Sequence, residues 1–556
     1  MVNEQKNHRS RYRLILTILT VIVTFLISVQ LISSWNQPKA QSQLNLYQSD
    51  LLLQASEWQP AVEEQEQANT FSNPLLEADP ISAALKTYRQ VRTSVQSDLD
   101  RLEQTSTPAA AASEQKTVAV QTQNRSQFKN DLDLRIGLLL AESGQIEDAI
   151  ASWSSLANLP LSANSQAEIA SVLIGLWSDP PQLLPNAQQQ LQSHLTGWFK
   201  NQALERLYTL AQRQDDLTTL QIERQGVAST ALVKVATING LTLVGNGLGV
   251  IILLFWLGRT WFRRYQAESS SLLSSSQPLP DLQSPPSALP SQAKEPSASL
   301  ESPSIVDESE VYSAQTGLAQ SVRWPADLVW QVMVLWFIAF FAVSLAIPLL
   351  IYVLKIQPTS LGARPQAYLA FVNYAILVGV GLSLLFWSLR GFLSHPWRWF
   401  RIRWRGRWFL WGISGYFVAL PLVILIALLN QKILGDQGGG NPLLELIIQS
   451  HDLVTASLLF VMVAGLAPFF EEILFRGFFL TSLTRYLPMW AAIAMSGVVF
   501  AIAHLNLADI LPLTVLGCVL GFVYSRSRNL LSSMLLHSLW NSGSFLSLLI
   551  LGSSAR

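Results

Sequence analysis

Charge is the first scarcity in this chain of 556 residues: only 13% are Asp, Glu, Lys or Arg, about half the ~25% usual in soluble proteins. That excludes an ordinary water-soluble enzyme. The 37 acidic and 37 basic residues cancel, and without the Lys/Arg surplus that neutralises phosphates a nucleic-acid partner is excluded too. A single cysteine, Cys518, leaves no internal disulfide and no thiolate zinc site, so cysteine says nothing about compartment. What is abundant is apolar: half of the residues are hydrophobic and 18 are tryptophan.

The apolar residues fall into segments. Leu14 to Ser34 follows a basic start (Lys6, Arg9, Arg11, Arg13) and is long enough to cross a hydrocarbon core of ~30 Å. A signal peptide has a shorter core and a small-residue cleavage site, so residues 1–35 read as a cytoplasmic tail and an uncleaved anchor. Residues 36–237 are polar and contain no spanning run, which marks an extracytoplasmic helical domain. Within it Leu134, Gly137, Leu140, Gly144, Ala149, Trp153, Leu156 and Pro160 have the spacing of one tetratricopeptide helix pair; a plain amphipathic hairpin fits equally well. A second span is expected at 238–258, ending at Arg259, Arg263 and Arg264. Residues 259–327 read as a cytoplasmic linker, since 16 Ser and 7 Pro within 266–322 cannot bury enough apolar surface to fold.

From 328 to 556 the chain is nearly all membrane. Seven spans are expected, at about 328–354, 367–389, 410–429, 453–480, 489–504, 510–524 and 530–551. Six arginines interleaved with tryptophans at 390–408 make a positive-inside loop with an aromatic belt. The fold class is therefore all-α: a polytopic helical membrane protein of about nine spans, with an outer α-helical, tetratricopeptide-like domain.

Ionisable residues inside spans cost ~2.5–3.5 kcal/mol each on insertion scales and mark pathways or active sites. Glu472 and Arg476 stand four apart within the run that starts at Leu453, so they share a helical face and can pair. Glu471, turned ~100° away, has no such partner. A carboxylate kept from water and from cations is what a general base needs near neutral pH. Pro468 should kink this helix beside it. Phe500 and His504 end the next span, and His537 and Asn541 lie in the last; each pair is spaced i, i+4 and faces one way. Glu471, His504, His537 and Asn541 can thus converge from three helices. No HExxH, GxSxG or GxxxxGKS/T pattern is present.

Glu471-Glu472-xxx-Arg476, then Phe500-xxx-His504, then His537-xxx-Asn541 resembles the three motifs of the CPBP intramembrane proteases. That family includes the type II CAAX prenyl endopeptidases (Ras-converting enzyme) and bacterial immunity-type membrane proteins. The resemblance covers roughly 453–551, extends less specifically back to 328, and leaves 1–322 untouched. It implies an endopeptidase in which Glu471 and His504 activate a water, His537 and Asn541 stabilise the oxyanion, and Glu472, Arg476 and Phe500 hold the helices in place. Glu471, His504 and His537 are also a donor set for catalytic zinc, so no cofactor and zinc both stay open. The substrate would be a membrane-embedded or lipid-linked polypeptide, with a protein partner for the outer domain. The loop Gly438-Gly439-Gly440-Asn441-Pro442-Leu443-Leu444 is similar to cyanobacterial and plastid members, which implies a bacterial inner or thylakoid membrane. Two readings from other classes compete: a non-proteolytic scaffold or assembly factor, and a transporter using the same buried groups as a proton relay.

Overall fold

The computed structural model describes residues 2–35, 40–59, 79–105, 112–158, 164–274, 322–354, 362–392, 400–434, 443, 446–447 and 452–552. Most of the linker expected at 259–327 and most of the 438–444 loop lie outside these residues, as does Pro160. Among the described residues the protein is all-α. Eight helices are long and apolar enough to cross a membrane.

The helices are α1 (Val2–Trp35), α2 (Ala40–Ser56), α3 (Pro80–Thr105), α4 (Ala112–Glu142), α5 (Ile146–Ala157), α6 (Asn164–Trp177), α7 (Ala187–His194) and α8 (Gly197–Leu210). They continue with α9 (Gln214–Ser274), α10 (Ala326–Val353), α11 (Ala363–Leu389) and α12 (Trp408–Leu434). Last come α13 (Leu453–Leu483), α14 (Met489–Ile502), α15 (Ile510–Ser527) and α16 (Leu530–Gly552). The seventh of the nine expected spans, α14, has 14 residues, about 21 Å at 1.5 Å per residue, less than a hydrocarbon core. Pro488 precedes it, and Leu505 in the left-handed region (φ 54°) turns the chain after it.

Two other expected boundaries move. α9 runs unbroken for 61 residues, joining the outer helices to the second span and passing the expected start of the linker. At the other side, Val322 and Trp324 are packed rather than loose: the Trp324 indole donates to Ser482 Oγ at 2.9 Å, and Arg485 donates to the carbonyls of Val322 and Trp324.

The helices expected on the outer side, α2 to α8, share a core that includes Tyr88, Trp153, Trp198 and Phe199. Trp153 explains Gly137: the indole lies across that position, and its N–H donates to Leu134 O at 3.1 Å. This is one antiparallel pair, α4 with α5; neither its packing nor any comparison makes it a tetratricopeptide unit. Nor are the outer helices free of the membrane part. Leu51, Ala55, Ala231 and Val235 pack with Leu551 of α16, and Arg224 of α9 pairs with Glu57 at 2.5 Å.

In the membrane part, close helix approach relies on small residues, as expected where lipid offers no hydrophobic drive. A Cβ on Gly249 of α9 would lie 2.0 Å from Phe417 O of α12, and one on Gly517 of α15 would lie 2.7 Å from Gly497 Cα of α14. Hydrogen bonds at the helix ends fall into two sets. One joins Arg13 to Asp327, Trp324 to Ser482, and Asn529 to Arg403. The other joins Ser34 to Leu507, Arg364 to Asp452, and Asn430 to Ala508. α1 belongs to both: it packs on α10 through Tyr12 to Gln331 and Trp330 to Thr20, and its far end accepts from Leu507 N–H.

Candidate active site

α13 carries the site and is not a uniform α-helix. Two π-helical segments, Val461–Leu466 and Ile473–Leu480, flank a short α-helical stretch, Ala467–Glu472. π turns are rare and occur often at functional sites. The first follows from Pro468. Ala467 N–H bonds Met462 O and Pro468 has no N–H to offer, so carbonyls one turn back need other donors. In a water-free core such an orphan costs several kcal/mol. α16 supplies them: the Asn541 amide donates to Val463 O at 2.8 Å and the Ser538 hydroxyl to Ala464 O at 2.6 Å. Instead of the simple kink expected, the proline leads α16 to fasten to α13 about two turns before Glu471.

The expected pair of Glu472 and Arg476 forms at 2.8 Å, with both side chains fully buried. Arg476 also donates to Gly517 O of α15 at 3.1 Å and lies over the Phe500 ring, 4.5 Å from its centroid. Burying this pair is tolerable because the two charges meet each other, although Glu472 Oε2 and Arg476 Nε have no hydrogen-bond partner among the described residues; a buried charge left unpaired costs far more than the pair gains. Glu472 does more than neutralise Arg476. The same oxygen, Oε1, lies 2.9 Å from His537 Nδ1, so Arg476, Glu472 and His537 form one chain across α13 and α16. An ionised carboxylate only accepts, so His537 presents Nδ1–H to Glu472 and turns Nε2 to the other side.

On that side is Glu471. Its Oε2 lies 3.9 Å from His537 Nε2 and has no hydrogen-bond partner among the described residues, although the atom is buried. Its Oε1 accepts from the Tyr374 hydroxyl of α11 at 3.0 Å. Tyr374 is a partner that the sequence reading missed. It lies 97 positions from Glu471 in an apolar run, and a lone tyrosine there carries no spacing signal.

His504 departs further from expectation. It follows the end of α14, is exposed, and points Nδ1 at Phe500 O at 2.8 Å. It makes no ion pair with Glu471 among the described residues. Phe500 connects the parts, with its ring 4.8 Å from the His504 ring and 5.7 Å from that of His537. Asn541 is committed through one amide hydrogen to Val463 O and keeps the second. The structure thus joins Glu471, Glu472, Arg476 and His537 through direct contacts, whereas His504 contacts Phe500 and Asn541 bonds Val463 O. The zinc donor set does not assemble: among the described residues no three of His, Cys, Asp or Glu are placed to hold a metal ion.

Residues 453–543 match the family model described as Type II CAAX prenyl endopeptidase Rce1-like. The chain is 27% identical over 133 residues to the Bacillus subtilis (strain 168) protein called "Putative membrane peptidase YdiL", covering 24% of this chain and 53% of that one. It is also 27% identical over 166 residues to UPF0177 protein YxdF of Lactococcus lactis subsp. lactis (strain IL1403), covering 29% and 86%. The match thus spans about half the length of the Bacillus protein. No solved structure matches the chain. The likeness to that family model is confined to 453–543, the segment from α13 into α16 where the buried groups meet.

Proposed function

We propose that this protein is an intramembrane endopeptidase in which Glu471 and His537 activate a water for attack on a peptide carbonyl. The observation that carries this reading is Glu471 Oε2: buried, unpaired, and 3.9 Å from His537 Nε2. Both atoms are acceptors when Glu471 is ionised and His537 neutral with its proton on Nδ1. A water between them donates one hydrogen to each, which leaves its lone pair for the carbonyl carbon. Glu471 takes the proton as the new C–O bond forms and returns it to the amide nitrogen as the C–N bond breaks. Fixed groups that need no rearrangement at that moment are what electrostatic catalysis requires.

The remaining roles follow from position. Asn541, with its second amide hydrogen, is assigned to the developing oxyanion. His504 is assigned to the substrate rather than to the water, because its ring is exposed and unpaired with Glu471. Glu472 and Arg476 orient His537. No step is routed through a metal.

The substrate class is a membrane-embedded or lipid-linked polypeptide, since a site between α13 and α16 is reached from within or beside the bilayer. The outer helices lie on the extracytoplasmic side, as the alternation of arginine flanks requires. A cysteine at Ser82, introduced after replacing Cys518, should react with an impermeant maleimide in intact cells, whereas one at Ser291 should not. The reverse pattern would overturn this orientation. For the activity, terminal proteomics of membrane proteins compares cells carrying the wild type and Glu471→Gln. Neo-termini that vanish in the variant support the protease; identical termini would leave a scaffold that binds a membrane partner.

A further inference from the structure

Glu471 has two oxygens, and the fold treats them differently. Oε1 receives the Tyr374 hydroxyl at 3.0 Å, while Oε2 is buried without a partner and faces His537 Nε2. A carboxyl group on a flexible side chain otherwise rotates and exchanges its oxygens. Here a donor from a different helix, α11, stops that exchange.

α11 is itself held where Tyr374 needs to be. The ring packs against both large membrane clusters, the one containing Phe470 and Ile473 and the one containing Leu459, Met462 and Phe545. Close by, a Cβ on Gly381 would lie 2.5 Å from the Phe470 ring, so α11 sits tightly against the residue preceding Glu471. At the helix start, Arg364 donates to Asp452 at 2.9 Å, the residue that caps α13. α11 is therefore tied to α13 at its end and in its middle, on either side of Tyr374.

We infer that Tyr374 is a positioning residue that fixes Glu471 through Oε1 and so reserves Oε2 as the one oxygen that accepts the proton of the attacking water. Tyr374 lies outside the 453–543 match, so the site extends to α11. This assignment rests on the protease reading above and deepens it. It gives the phenol no covalent part: the hydroxyl keeps its proton throughout.

The test uses the full chain reconstituted in nanodiscs, with the cleaved member of a lipid-anchored quenched-fluorescence peptide library as substrate. Tyr374→Phe removes one oxygen and keeps the ring. Loss of a hydrogen bond to a charged group should lower kcat by about tenfold to a hundredfold, with KM and melting temperature unchanged. Fluorinated tyrosines at position 374, which keep the hydroxyl and strengthen it as a donor, should hold kcat well above that of Tyr374→Phe. An independent arm reads the bond without turnover. The infrared carboxylate band that disappears in Glu471→Gln belongs to Glu471, and Tyr374→Phe should shift it. An unshifted band together with unchanged kcat overturns the assignment. So does a loss that appears only in KM or in melting temperature. Cleavage retained by Glu471→Gln would instead overturn the protease reading, while the infrared arm still decides whether Tyr374 fixes that carboxylate.

Discussion

His537 and Glu472 are joined at 2.9 Å through Nδ1 and Oε1, and the Glu472 oxygen they share is the one that receives Arg476 at 2.8 Å. Glu472 therefore stands between a buried cation and the imidazole that faces Glu471. Its neighbour in sequence, one helical step away, is left free for chemistry. The two adjacent glutamates differ in their remaining partners: both approach His537, but Glu472 also holds Arg476, whereas Glu471 accepts from Tyr374 of α11.

Removing one member of this chain leaves the others uncompensated. Arg476→Leu should cost ~3–5 kcal/mol, by analogy with buried pairs in soluble proteins. The exposed Arg405 is the control, since surface substitutions usually stay within ~0.5 kcal/mol. Thermal unfolding of the two variants in detergent should separate them clearly; coincident curves would show that the pair is not buried in the membrane.

Asp50, in the outer helices, gives a pH dependence. Burial pushes its carboxyl up from 3.8 to about 6, against the opposing pull of Arg135 and the Tyr88 hydroxyl, with Asp131 adding to the rise. A folded value above the unfolded one means that the native state holds the extra proton between them. The stabilisation is complete below about pH 4 and is lost as pH rises through about 6, on the order of 3 kcal/mol in all. Hydrogen exchange of α2 and α3 in the full chain should slow as pH is lowered across that window, after correction for intrinsic rates. Asp50→Asn should remove the part centred near pH 6, and an unchanged profile would place Asp50 in water.

Much of this could be read from residue spacing. Apolar runs located eight of the nine expected spans, and the four-residue step from Glu472 to Arg476 gave their ion pair. What escaped depends on contacts distant in sequence or on backbone accounting. The first π turn of α13 arises because Pro468 withholds an N–H and α16 satisfies the freed carbonyls, so Asn541 has a partner in Val463 O that motif spacing does not indicate. Tyr374 is invisible because its partner lies on another helix. The length of α9 was obscured because its polar and apolar halves look like two different elements, although one hydrogen-bond ladder runs through both.

The zinc donor set that does not assemble among the described residues makes a prediction of its own. Exhaustive chelation of the purified, reconstituted protein should leave the cleavage rate unchanged. Stoichiometric zinc in the protein, with activity lost on chelation and restored by zinc, would transfer Glu471, His504 and His537 to the role of ligands.

The central claim is that Glu471 accepts a proton from water, and Glu471→Gln tests it most directly. The substitution keeps the size of the side chain and an oxygen for Tyr374, so purified protein should match the wild type in yield and melting temperature. Single-turnover cleavage of a lipid-anchored peptide in nanodiscs should fall by ~10² to 10⁴, the usual contribution of general base catalysis, toward the upper end because no other carboxylate faces His537 Nε2 within ion-pair distance among the described residues. A variant that cleaves at the wild-type rate would contradict the account.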